Sequence, residues 1–156
     1  WLSLDVADNI IDYNHAFNFN LNHFKYEGFH LNAQSMFWTA DVHKRFSGFN
    51  VNLYNTMDYQ MIIEFGINEG QNSFINTLFP MGCFRRYEGQ KTSGTTPRVI
   101  KEQKLISQLY GYEDKYRFIG KIKRLYFRIR RAFWYIKRGG LTNLIYRLKN
   151  FYVNRS

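Results

Sequence analysis

A single cysteine, Cys83, and two prolines are all that 156 residues contain of either type. One thiol excludes a disulfide framework and a cysteine zinc cage. Two prolines exclude a Pro-rich linker. No run of 18 apolar residues occurs, so no transmembrane helix is expected. The opening Trp1-Leu2-Ser3-Leu4-Asp5 has no basic region and no apolar core, so it does not read as a signal peptide. It also lacks methionine, and a start inside a longer chain is one of the readings. There is no Gly-rich phosphate loop and no nucleophile elbow. The four histidines, His15, His23, His30 and His43, lack HExxH-type spacing and read as structural or surface groups. Asp5 and Asp8 read as a solvated turn in preference to a cation site. Past Asp114 no acidic residue occurs at all.

What is present is 45% apolar and 19% aromatic, which excludes wholesale disorder and suits one domain with a real core. The charge is segregated. Residues 1–114 carry 9 Lys and Arg against 12 Asp and Glu, whereas 115–156 carry 13 Lys and Arg and no acid. The net charge of +10 therefore belongs to the last 42 residues. Such asymmetry points to an acidic partner, a membrane surface or a nucleic acid. The seam lies at Tyr112-Glu113-Asp114, which divides the chain into 1–114 and a basic tail, 115–156.

Periodicity predicts an α/β chain. Residues 10–31 read as irregular or short strand, and 33–39 as a buried strand. Asp41 is expected to cap a helical turn over 42–46, which Ser47-Gly48-Phe49-Asn50 breaks. Met57, Met61, Ile62 and Phe65 have helical spacing, with Gly66 or Gly70 as C-cap. Ser73–Asn76 and Met81–Arg85 read as two short strands, followed by a polar loop over 87–94. Thr96-Pro97 starts a helix whose Val99, Ile100, Leu105, Ile106 and Leu109 share one face. In the tail, Phe118, Ile122, Leu125, Ile129, Phe133 and Ile136 step by 4, 3, 4, 4, 3. Gly139-Gly140 is expected to end that helix. Leu141, Leu144, Ile145, Leu148 and Phe151 then make a second amphipathic stretch, giving a helical pair.

The informative stretch is 34–92. It runs Gln34-Ser35-Met36-Phe37-Trp38, then Gly48 to Leu53, then Met57-Asp58-Tyr59-Gln60-Met61, then Phe84 to Ser93, then Glu102 on a helix. In this order and spacing the pieces resemble the C-terminal, acceptor-side half of family 2 glycosyltransferases over roughly residues 30–112. The resemblance implies a partial GT-A-like domain, a small mixed sheet with flanking helices. It also implies transfer of a sugar from a nucleotide-sugar donor to a glycan or lipid-linked acceptor. Asp58 matches the general base of inverting members. A carboxylate in reach of the acceptor hydroxyl can take its proton during attack, and a helix N-terminus favours the ionised form; capping the helix is its structural alternative. Arg85, Lys91 and Thr92 match the loop beside the nucleotide diphosphate, and Gln34 and Trp38 match acceptor-side or structural positions. Glu102 is read as orienting the basic loop or lying on a solvated face. Tyr87 replaces a frequent His, and Gln60-Met61-Ile62 replaces a commoner acidic-Leu-Trp. The family implies a divalent cation, Mg or Mn, but its DxD motif is not found in this chain. A fragment, a separately supplied N-terminal half and a remnant without activity all remain open.

The tail joins its apolar stripe to cations such as Lys121, Arg124, Arg128 and Arg131 and to aromatics such as Trp134. That composition suits a helix lying in an anionic membrane interface. The alternatives are packing on the preceding domain and a basic RNA- or ribosome-associated role, with nucleic acid the least favoured partner. The resulting expectation is a cytoplasmic protein, peripheral on the inner face of a membrane.

Overall fold

Apolar residues occupy nearly every side of the segment from Met57 to Phe65, and a helix apolar all round has to be enclosed all round. The computed structural model shows this. It describes residues 1–153 except 15, 29–30, 47, 78 and 91–95, and gives only the backbone course of 139–140, 143–144 and 146–153. The chain forms two units, Trp1–Glu113 and Asp114–Ser156. In general kind it is α/β. Among the described residues, five α-helices accompany a small three-stranded mixed sheet.

The elements of the first unit are β1 (Leu2–Leu4), β2 (Ile10–Tyr13), α1 (Leu21–Glu27), α2 (Ala40–Arg45), α3 (Met57–Asn68), β3 (Cys83–Arg85) and α4 (Pro97–Leu109). The pillar is α3, which buries Tyr59, Gln60, Met61, Ile62, Ile63, Phe65 and Gly66. Gly66 is not its cap. A Cβ there would stand 2.8 Å from Leu21 and 3.0 Å from Phe19, so the missing side chain is room for the lead-in to α1. The helix ends at Glu69, whose amide donates to the Phe65 carbonyl at 2.9 Å, and Gly70 follows with φ of 76°. The α1 helix lies against α3 through Phe24, which stacks on Tyr59 at 4.9 Å. Asn20 caps α1 by accepting the His23 amide at 2.9 Å.

The sheet has the order β2-β1-β3. β1 pairs antiparallel with β2, with a register irregularity between Ser3 and Leu4, and parallel with β3, Leu2 facing Cys83 and Leu4 facing Arg85. The β1–β2 turn is built by Asp5, whose Oδ1 accepts the amides of Ala7 at 2.8 Å and Asn9 at 2.9 Å. Asp8 sits there at φ of 65° and pairs with Arg85.

Four predicted elements are corrected. The strand over 33–39 does not form. Asn32 accepts the Gln34 amide at 3.0 Å and folds Ala33–Ser35 into a 3-10 turn. Thr39, not Asp41, caps α2, because its Oγ1 accepts the Val42 amide at 3.3 Å; Asp41 lies in the first helical turn. Residues 73–76 form no strand, since Gln71–Ser73 is a 3-10 turn closed on Gly70. The α4 apolar set does not share a buried face. Ile106 is buried, but Ile100, Leu105 and Leu109 are exposed, and Glu102 and Ser107 point inward instead. The start of α4 is as expected, with Pro97 in the first turn and Thr96 Oγ1 accepting the Val99 amide at 3.3 Å.

The second unit is a 3-10 turn, Glu113–Tyr116, and one long helix, α5 (Phe118–Val153). The Gly139-Gly140 pair does not end it, so there is no helical pair. Glycine is a poor helix former, costing about 1 kcal/mol against alanine, but it breaks no backbone hydrogen bond, and no proline follows. A Cβ at Gly120 would meet the Asp114 carbonyl at 2.1 Å, so this glycine lets the turn fold onto the helix, where Lys123 pairs with Asp114 at 2.7 Å. Burial, with Arg124 nearby, pushes the Lys115 ammonium down to about 8. Among the described residues no helix is long and apolar enough to cross a membrane.

Gly82 makes a third close approach. A Cβ there would fall 2.4 Å from the Gln34 carbonyl oxygen and 2.7 Å from Ser35 Oγ. Because the obstacle is backbone, Gly82→Ala is expected to lower stability by about 2 kcal/mol, read as a shift in urea midpoint followed by tryptophan fluorescence.

Candidate functional site

Asp58 is the second residue of α3 and half-buried. Its setting is fixed from a distance in sequence. Glu102, on α4 and 7% exposed, receives the amide of Tyr54 at 3.0 Å, the amide of Asn55 at 2.9 Å and the hydroxyl of Thr56 at 3.0 Å. Arg98 Nε donates to the same carboxylate at 3.1 Å and lays its guanidinium over the Tyr54 ring at 4.1 Å. Leu53, 2% exposed, anchors the loop below. Burial alone would push the Glu102 carboxyl up. The bonds from Asn55, Tyr54, Thr56 and Arg98 outweigh it and hold the pKa at about 2. Glu102 thus fixes the loop that leads into α3 and Asp58, and it does not lie on a solvated face.

Thr56 occupies the N-cap position of α3 but makes no side-chain capping bond; its hydroxyl donates to Glu102. Asp58 is not the cap either. Its Oδ1 accepts the Tyr59 amide at 2.8 Å. An ionised carboxylate in this first turn is favoured by the helix dipole. One turn on, Gln60 ties the region together. It accepts from Asn50 Nδ2 at 3.0 Å, donates to Glu64 at 2.9 Å, and donates to the Tyr110 hydroxyl at 3.1 Å. Tyr110 in turn donates to Glu64. Burial first, then this bond to Glu64, raises the Tyr110 hydroxyl above the ordinary phenol range, so it stays a donor.

The other predicted residues are placed separately. Gln34 is exposed on the 3-10 turn beside β3. Trp38 packs edge-on to Phe65 at 5.7 Å, and its indole N–H donates to His43 at 3.4 Å. It lines a cavity of about 430 Å³ together with Trp1, Phe37, Phe74, Phe79 and Glu69, a volume within the small-ligand range. Asp58, Gln34 and Arg85 do not line this cavity. Phe65 is seven residues along α3 from Asp58, roughly 10 Å of helix rise. Arg85 is exposed and paired with Asp8. Lys91 and Thr92 lie outside the described residues. Among the described residues no group of three or more His, Cys, Asp or Glu side chains is placed to hold a metal ion. Asp5 and Asp8 are engaged in their turn and by Arg85, so they do not fit the cation that the resemblance implies. His23 is a buried partner of Glu27, stacked on Phe17 at 4.6 Å, in keeping with a structural histidine.

The hydrophobic pattern misses Asn50, Gln60, Glu64 and Tyr110. Only Gln60, a polar residue inside an apolar helical run, gives a sequence signal for them. No family model, curated protein or solved structure matches the chain.

The Glu102 carboxyl has a folded pKa of about 2 against an ordinary 4.5. The native state therefore binds fewer protons, and the stabilisation is complete above pH 4.5 and lost as pH falls toward 2. The expected loss is about 3 kcal/mol over that interval. Glu102→Gln should be less stable at neutral pH and should lack this acid-side step, read from urea midpoints across pH.

Proposed function

We propose that the first unit is the acceptor-side part of a glycosyltransferase, with Asp58 as general base. The observation that carries this reading is the pre-set position of Asp58. It is half-buried in the first turn of the most enclosed helix, behind a loop clamped by Glu102. The ordered run of motifs from Gln34 to Glu102 supplies the family. In the proposed step the acceptor hydroxyl oxygen attacks the anomeric carbon of the donor sugar. The bond from that carbon to the diphosphate oxygen breaks, and the nucleoside diphosphate leaves with the electron pair. The hydroxyl proton passes to an Asp58 oxygen. Attack from the face opposite the leaving group inverts the anomeric centre.

Arg85 has a role that its placement allows. Its ion pair with Asp8 is more than half exposed on both sides. Such pairs contribute little, so the guanidinium can exchange onto a diphosphate and offset the charge that develops there. In the same reading Lys91 and Thr92 extend that loop. Trp38, with its ring against the aromatic cavity, serves the acceptor side through stacking on a sugar face. The divalent cation supplies no step here.

The test is Asp58→Asn in the full-length polypeptide, assayed for transfer from a panel of nucleotide-sugars. Transfer is expected to fall by about 10³-fold while donor binding, measured by calorimetry, changes less than about two-fold, since the base touches the acceptor. Unchanged turnover in the variant overturns the assignment.

A further inference from the structure

We propose that α5 docks on an anionic lipid bilayer through its exposed face between Phe118 and Ile136. The helix has two apolar faces. Gly120, Phe127 and Trp134, spaced by seven, share one side; Gly120 and Phe127 are buried and Trp134 is half-buried. On the other side Phe118, Ile119, Ile122, Leu125, Tyr126, Ile129, Phe133 and Ile136 fall within an arc of roughly 120° at 100° per residue. All of these are exposed; Phe118 is 75% and Phe133 67% accessible. The strip is about 27 Å long at 1.5 Å per residue.

Cations border the strip on both sides. Lys121 and Arg128 project from one edge and Arg130 and Lys137 from the other, all exposed. Arg124, Arg131 and Arg138 continue round the polar side. No acidic residue occurs from Lys115 to Ser156. An apolar strip between two cationic edges matches an interface whose outer layer is phosphate and whose inner layer is hydrocarbon. The strip enters the acyl boundary, and the long basic side chains reach back to the headgroups. The described residues of α5 are not apolar enough over a sufficient length to cross a membrane, and in this proposal the helix lies in the plane.

Two other occupants fit less well. An RNA backbone satisfies the cations but leaves the apolar strip in water. A second copy of the strip covers the apolar residues but sets cationic edge against cationic edge with no acid to compensate. Lipid satisfies both. The inference does not depend on the role of Asp58.

The test uses the whole chain with three probes: phosphatidylcholine vesicles with roughly 30% phosphatidylglycerol, pure phosphatidylcholine vesicles, and polyuridylate. Each is run at low and high salt. Binding to the anionic vesicles is expected to exceed binding to the neutral ones by at least about ten-fold and to weaken with salt. Ile122→Glu with Ile129→Glu should reduce vesicle binding by about ten-fold or more with far-UV circular dichroism unchanged, since both side chains are exposed. Lys121→Gln with Arg128→Gln should reduce only the anionic component, by roughly five-fold per cation. As a readout that needs no disruptive variant, Phe133→Trp should shift its emission to the blue and be quenched by brominated acyl chains. The proposal is overturned if vesicle binding ignores the isoleucine pair or if brominated lipid leaves Phe133→Trp unquenched. It is also overturned if polyuridylate displaces the vesicles through the cations alone, or if light scattering shows a strip-dependent dimer that binds no vesicles.

Discussion

The carboxylate of Glu102 holds two backbone amides and a hydroxyl that lie 46 to 48 residues earlier in the chain, and the geometry of the first unit follows from that grip. A buried carboxylate is tolerated only when its lone pairs are filled, and here the segment Tyr54–Thr56 and Arg98 fill them. The consequence runs to the start of α3. Thr56 donates its hydroxyl to Glu102 and makes no side-chain bond to the helix whose N-cap position it occupies. The first turn is then positioned by the loop on one side and by the packing of Tyr59 on the other. Asp58 stands between these two constraints. This fixes the backbone position from which Asp58 would act in the proposed transfer step.

The high aromatic content has a structural explanation in the same unit. Three strands of three or four residues supply almost no sheet surface, and the helices apart from α3 and α4 are short. Flat rings fill the spaces between such elements. Phe19 stacks on Phe74 at 3.8 Å, Phe46 meets Phe65 edge-on at 5.1 Å, and Trp38 meets the same Phe65 from another side. The Phe46 and Trp38 rings meet α3 at Phe65, toward its C-terminal end, while Asn50 and Tyr110 bond Gln60 near its N-terminal end and Tyr110 also bonds Glu64.

Legibility in the sequence followed the range of the interactions. The start of α4 was readable because Thr96-Pro97 acts on the next three residues. The body of α3 was readable because its apolar spacing is local. The strand over 33–39 was misread because one side chain, Asn32, turns the backbone with a single bond that hydropathy does not register. Gly66 was ambiguous and the role of Gly82 was not visible, for a different reason. A glycine that caps a helix and a glycine that admits a neighbour look alike until the neighbour, Leu21 or the Gln34 carbonyl, is known. Asp58 could be singled out by motif, but its support could not, because Glu102 acts across nearly fifty residues.

The long helix shows the same limit most clearly. The pattern from Phe118 to Ile136 is a correct helical stripe, and such a stripe ordinarily marks the inward face. Here it is the exposed face. The covered face contains Gly120, Phe127 and Trp134, and glycine adds nothing to a hydropathy period although it permits the closest approach. The exposed strip carries apolar surface beyond that of the Gly120, Phe127 and Trp134 face. The surplus is also the face bordered by Lys121, Arg128, Arg130 and Lys137. A strip built for an ordinary protein partner would be expected to pair its border charges with a few of its own acids; this one has none from Lys115 onward. The segregation of thirteen cations into the tail is therefore coupled to the strip they border. In the proposed docking both face a surface that is negative outside and apolar within.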